Sequence, residues 1–205
     1  MPINQTVTEE LVNSHALKRG ELKQRLLNEI RRECAIHAPE AISIAQICKR
    51  LGVSSGAPFR VFASREEIFA TLIEQEMVQL QRLMIEATES PASSPKERLA
   101  ALCHSYIDFA GQNSAMFRLS FSVSGQSLQS DSLARLGEEI FSFVTDTVAA
   151  CYPENISRPT VERKAYLLWS TIHGHALLTM TRQQDDIGIE SAGQSLVDDA
   201  VNALR

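Results

Sequence analysis

Apolar residues recur along this chain at intervals of three and four. Nowhere do they alternate with polar residues over a run long enough for a half-buried strand. Leu22, Leu26, Leu27, Ile30 and Cys34 stand at offsets 0, 4, 5, 8 and 12. Phe69, Leu72, Ile73, Leu80, Leu83, Met84 and Ala87 stand at 0, 3, 4, 11, 14, 15 and 18. Leu99, Leu102, Cys103, Tyr106 and Ala110 form a further stripe, as do Leu133, Leu136, Ile140, Phe143, Thr147 and Val148. Shorter patterns cover 116–121, 160–183 and 190–204, and no internal repeat appears. The pattern predicts an all-α chain. Its 205 residues, 44% of them hydrophobic, suffice for one large domain or two small ones.

Start and stop signals divide these stripes. Ser43 is a good N-cap for a short helix that turns Ile44, Ile47 and Leu51 inward, and Gly52 stands where a helix ends. Ser64 with Glu67 three residues on makes a capping box. The helix behind it, to about Glu89, would run on the order of 38 Å, enough to join two domains. SPASSP (90–95) marks a linker, and SVSGQSLQSDS (122–132) and YPENISRP (152–159) mark loops.

The net charge of −5 is unevenly distributed. Between Lys18 and Arg65 lie ten basic and four acidic residues, so that segment carries +6 and the remainder −11. A basic N-terminal quarter on an acidic chain fits a polyanion partner for that quarter, against the alternative of a solvated mixed-charge face. Cys34, Cys48, Cys103 and Cys151 form no CxxC pattern, which fits reduced thiols in the cytoplasm. The N-terminus lacks the basic start and apolar run of a secretory signal, and no stretch reaches the roughly 20 apolar residues of a membrane span. His173 and His175 point about 200° apart on a helix, and Cys103 and His104 diverge too, so no metal site is expected. With no glycine-rich phosphate loop and no oxyanion hole, no cofactor and no catalysis are expected.

GVSSGAPFRVF (52–62) cannot form a deep core helix. After Leu51-Gly52-Val53 it can form a second, very short helix, capped by Ser54 or Ser55, and so complete a helix-turn-helix. Ser54, Ser55, Gly56 and Ala57 are small enough for backbone and DNA to approach closely, and exposed N–H groups favour phosphate. Phe59 and Phe62 would anchor this helix, with Arg60 projecting outward between them. On these residues alone, a DNA-reading element and a structural helical corner both stand.

ISIAQICKRLGVSSGAPFRVFASREEIFATL (42–72) resembles the DNA-binding domain of the TetR family of transcriptional repressors, the match reaching back to about residue 20. The family pattern is I-A-x-x-A-G-V-S-x-G-x-x-Y-x-x-F followed by S/N-K-x-x-L. This chain departs from it at Cys48, Leu51, Phe59, Val61 and Arg65, and Phe59 lacks the hydroxyl that typically reaches a phosphate. The resemblance implies that Ser43, Ser54, Ser55, Gly56, Ala57, Phe59, Arg60 and Arg65 lie at double-stranded operator DNA, with Arg65 on phosphate.

A weaker resemblance covers AALCHSYIDFAGQNSAMFRLSF (100–121) and LLWSTIHGHALLTM (167–180), similar to the C-terminal domain of a subgroup carrying Trp-x-x-x-His-Gly, here Trp169, His173 and Gly174. It implies a small, largely apolar effector bound by His104, Phe117, Phe121, Trp169 and His173, and a homodimer. Trp169 and His173, one turn apart, are either a hydrogen-bonded buried pair or ligand contacts. Gly174 implies close approach of another helix, within the monomer or across a dimer. Leu168, Ile172, Leu196, Val197, Ala200 and Leu204 supply the stripes expected at the dimer surface. The expectation is a cytoplasmic, homodimeric repressor, with residues 1–65 on DNA and 66–205 for effector and dimerisation. The alternative is a helical ligand-binding or enzymatic protein whose basic N-terminal region is incidental.

Overall fold

The computed structural model of the chain describes residues 19–90, 93–121, 128, 130–152, 156–182 and 192–204. Every regular element among them is helical, as the spacing predicts. The N-terminal arm, most of the 122–132 loop, and parts of the 90–95 and 152–159 segments lie outside the described residues. The chain divides into two compact units, Met1–Leu72 and Ile73–Arg205.

In the first unit α1 (Arg19–Cys34) and α2 (Ile44–Arg50) are joined through a 3-10 turn, Pro39–Ala41. The Ser43 hydroxyl accepts from the Gln46 N–H at 3.4 Å and caps α2, as expected. Gly52 ends the helix with φ +69°, a left-handed conformation that costs a residue with a Cβ. Val53 N–H then reaches the Cys48 carbonyl (3.0 Å) and Gly52 N–H the Lys49 carbonyl (3.2 Å), a Schellman closure of the last turn. Arg50 binds Glu33 (2.6 Å) and approaches Glu29 (3.8 Å), pinning α2 across α1. Leu26, Leu27, Ile30, Ile47, Phe62, Ile68 and Leu72 are buried, so the three helical stripes meet in one small core.

The helix α3 (Arg65–Thr88) begins in this unit and continues into the next. Ser64 caps it by accepting from Glu67 N–H at 3.2 Å. Expectation and structure part at the second helix of the helix-turn-helix. Residues 54–62 wind as successive tight turns, with only Pro58–Arg60 regular and of 3-10 type. Neither Ser54 nor Ser55 caps it; Ala57 occupies that position, without a side-chain bond. Pro58 supplies no N–H, and a glycine and two serines just before it lower the helical preference further, so propagation fails after one turn. At Val61 φ falls to −121°, and the helical spacing that would have paired Phe59 with Phe62 is lost.

The second unit holds the rest of α3 with α4 (Pro95–Gln112), α5 (Ser114–Phe121), α6 (Asp131–Ala149), α7 (Arg158–Met180) and α8 (Ala192–Ala203). Capping is explicit in two of them. Ser94 and Glu97 form a reciprocal capping box at α4, and Ser130 accepts from Leu133 N–H at α6. Helix α4 is central and packs against α5, α6, α7 and α8. Its Leu99, Leu102, Cys103, Tyr106, Phe109 and Ala110 are all buried, forming one core with Val148, Ala165, Leu168, Ile172 and Val197. Among the described residues no helix is long and apolar enough to cross a membrane.

Candidate functional site

In the first unit the expected DNA-contacting residues separate into two sets. Ser54, Ser55 and Gly56, then Phe59 and Arg60, are exposed along the tight turns, with buried Ala57 and Pro58 between them. Phe59 is 56% exposed, so it does not anchor the segment; Phe62 alone is buried and does. The Arg60 guanidinium has no hydrogen-bond or ion-pair partner among the described residues.

Ala57 is buried, and Arg65 is turned inward. The Arg65 guanidinium donates to the carbonyls of Ile42 (2.9 Å) and Pro39 and lies over the Phe69 ring at 5.0 Å. It ties the start of α3 to the segment before α2, and so supports the helix-turn-helix from behind. Sequence spacing could not reveal this, because its partners are backbone carbonyls 23 and 26 residues away. Ser43 is half-buried and already engaged as a cap.

The second unit encloses a cavity of about 520 Å³. It is lined from all of α3, α4, α5, α6 and α7, chiefly by aliphatic and aromatic side chains. Phe117, Phe121 and Trp169, expected at the effector, are in its wall; His104 and His173 are not. On α4 the residues facing the cavity are Leu102, Cys103, Tyr106 and Phe109. His104 lies about 160° around the helix from Tyr106, so its place away from the cavity follows from helical geometry.

His173 stands behind the wall. Its Nδ1 is 2.8 Å from the Tyr106 hydroxyl, which also accepts from Trp169 Nε1–H at 3.2 Å. Indole can only donate, so the Tyr106 oxygen accepts from Trp169, and its bond with His173 Nδ1 takes its direction from the imidazole tautomer. Trp169 and His173 are thus linked through a third residue, Tyr106, while Trp169 also lines the cavity. Ring contacts of His173 with Phe121 (4.6 Å between centroids) and Phe117 (5.3 Å) complete the packing. Burial lowers the His173 pKa and raises that of Tyr106, so both stay neutral.

Sequence reasoning missed Glu76. It is 4% exposed and lies in the cavity wall on the same face of α3 as Ile73, Met77, Leu80 and Met84. The signal was present, since a carboxylate at i+3 from Ile73 and i−4 from Leu80 falls on a buried stripe. Glu138 of α6 also lines the cavity but is exposed, which places it at the rim. Cys103 lines it as well. Burial, with Cys151 nearby, pushes its pKa up to about 12, so it is a thiol and no nucleophile. Among the described residues no cluster of His, Cys, Asp and Glu could hold a metal.

The expected dimer stripe needs correction. Leu168, Ile172 and Val197 are buried within the unit itself. The apolar residues that α7 leaves exposed are Tyr166, Leu167 and Leu178, beside half-buried Leu196, Ala200 and Leu204 of the α8 region. Gly174 meets no other helix among the described residues, since a Cβ built there finds nothing within 4 Å. Its intramolecular explanation is therefore withdrawn.

A small helical unit followed in the chain by a larger one around an apolar cavity is a fold found among transcriptional regulators. The profile of the family described as "Tetracyclin repressor-like, C-terminal domain" matches residues 99–204, more than half of the chain, so the chain belongs to the TetR family. Solved structures share its fold. A candidate regulatory protein, SCO4313, superposes with a TM-score of 0.76 at 21% identity, covering 91% of this chain and 96% of that one. A transcriptional regulator from Rhodococcus sp. Rha1 gives 0.68 at 21% identity, covering 89% and 95%. The regulator FadR from Bacillus subtilis, solved with stearoyl-CoA, gives 0.65 at 14% identity, covering 88% and 96%. No curated protein matches the sequence.

Proposed function

We propose that the protein is a DNA-binding transcriptional repressor of the TetR family, released from its operator by a small, largely apolar effector. It acts in the cytoplasm as a homodimer, without catalysis. Residues 1–65 hold the DNA and residues 66–205 the effector and the partner subunit. The observation that carries this reading is the cavity of about 520 Å³ inside the unit that the family profile matches. Its size and apolar, aromatic lining suit a small molecule.

On the DNA side, the reading rests on Ser54, Ser55, Gly56, Phe59 and Arg60 as the exposed contact segment, with Ser43 and Arg65 positioning it. One such segment reads few base pairs, so specificity calls for two, about 34–36 Å apart on one face of the duplex. The exposed Tyr166, Leu167 and Leu178 of α7, with Gly174 open beside them, supply a self-complementary face for the partner subunit. Because α3 carries cavity residues from Ile73 onward and core residues of the first unit before it, it is the element through which a ligand changes DNA affinity. A ligand does so only by binding the DNA-incompetent arrangement more tightly.

Selection of bound sequences from random DNA is the test. An enriched two-fold symmetric site supports the reading. Recovery of no sequence above background, by a protein that sediments as a monomer at micromolar concentration, overturns it.

A further inference from the structure

We infer that the cavity of the second unit takes a lipophilic cation, such as a quaternary ammonium or an amphipathic amine, and discriminates against acyl anions. This deepens the effector reading and rests on it. The inference comes from the polar groups that line an otherwise apolar space.

Two carboxylates lie in the lining, Glu76 in the buried wall and Glu138 at the rim. No Lys, Arg or His is found among the lining residues. The residues of this unit outside the described set, Arg205 apart, contain no basic residue either. Among the described residues, the indole and hydroxyl groups in the wall are already engaged in hydrogen bonds. Trp169 Nε1–H is given to Tyr106, the Tyr106 hydroxyl is bonded to His173 Nδ1, and the Ser120 hydroxyl is given to the Met116 carbonyl at 2.9 Å. A ligand anion entering this space would meet two acidic side chains and, among the described lining residues, no basic group to pair with.

A cation meets the reverse. Carboxylates offer acceptors, and the rings of Trp169, Phe121 and Phe141 line the same space, where aromatic π-systems attract positive charge. Phe121 and Phe141 each stand 6.4 Å from Trp169 between ring centroids, flanking the indole. A cation whose charge is shielded by alkyl groups loses little hydration on entry, and its hydrocarbon body fills the aliphatic remainder. Glu138 at the rim gives such a ligand an attractive first contact, and Glu76 holds it inside.

Trp169 is the only tryptophan, so its fluorescence reports occupancy of the cavity directly. The full-length protein is titrated with decyltrimethylammonium, decanol and decanoate below their micellar concentrations, following Trp169 emission and thermal midpoint together. The expected order is the cation at least about tenfold tighter than decanol, with decanoate weakest. Glu76→Gln and Glu138→Gln each weaken the cation by about tenfold and leave decanol unchanged. If Glu76→Gln fails to fold, the rim variant Glu138→Gln carries the comparison. Equal or tighter binding of decanol or decanoate, or an unaltered cation affinity in a folded variant, overturns the cation assignment and leaves the effector reading standing. No response to any of the three probes overturns both.

Discussion

Replacing Tyr106 with phenylalanine removes one oxygen atom, and the relay through that atom allows the cost to be worked out. The hydroxyl accepts from Trp169 and is hydrogen-bonded to His173, so two hydrogen bonds are lost together. Each is worth about 1 kcal/mol net, and a buried partner left unsatisfied costs about 1–3 kcal/mol. Tyr106 itself is buried, whereas Trp169 and His173 are half-buried beside a cavity roomy enough for water to take over part of the bonding. The expected loss is therefore about 1–2 kcal/mol, below the sum of two unsatisfied groups.

The assay is urea unfolding followed at Trp169, which reports its own unit and no other. A double-mutant cycle with His173→Ala isolates the Tyr106–His173 bond. The double variant should be less destabilised than the sum of the singles by about 0.5–1.5 kcal/mol. Strict additivity, or an unchanged midpoint for Tyr106→Phe, would refute the relay.

Three further outcomes are expected. Arg65→Ala should lower the stability of the first unit by about 2 kcal/mol and weaken DNA binding with the salt slope intact, whereas Arg60→Ala should leave stability alone and flatten the slope by about one ion; an equal slope change in both would contradict the inward placement of Arg65. Gly52→Ala should cost about 1 kcal/mol in thermal unfolding, all of it from backbone strain at φ +69°, because the added methyl meets nothing within 4 Å. On acidification, His173 and His175 should destabilise the fold. Burial holds their native pKa values below the ordinary 6.5 of a histidine, so below that pH the unfolded chain binds more protons, and stability falls until the lowered native values are passed. The slope of thermal midpoint against pH below 6.5 should flatten in His173→Gln/His175→Gln, and an unchanged slope would exclude these residues as its source.

What the sequence made legible is what depends on neighbours along the chain. The stripe from Leu22 to Ile30, the Ser43 cap and the Gly52 stop are local events, and each occurs where its residues imply. The failure of a second α-helix at 54–62 was half-legible, since Pro58 announced a short element but not its 3-10 character. Arg65 was misjudged because a surface-like residue type can turn inward when carbonyls from distant turns converge on it. His104 was misjudged against a rule already in hand, the 100° step per residue. The cavity was the least legible feature. An empty volume depends on how five helices fail to close on one another, which no stripe encodes, so aromatic richness could suggest it without placing it.

The Tyr106–His173 bond closes a loop of 67 residues. Bringing such ends together costs on the order of 4 kcal/mol in chain entropy before any contact returns it. Helices α4 and α7 can each form locally, but their joining must wait for most of the unit to be assembled. The relay is therefore expected to form after the folding barrier, and chevron kinetics of Tyr106→Phe should show faster unfolding with the folding rate nearly unchanged. The cavity wall acquires its final polarity at that same late step, and the lifetime of the closed wall, more than the speed of its formation, is what the tyrosine hydroxyl governs.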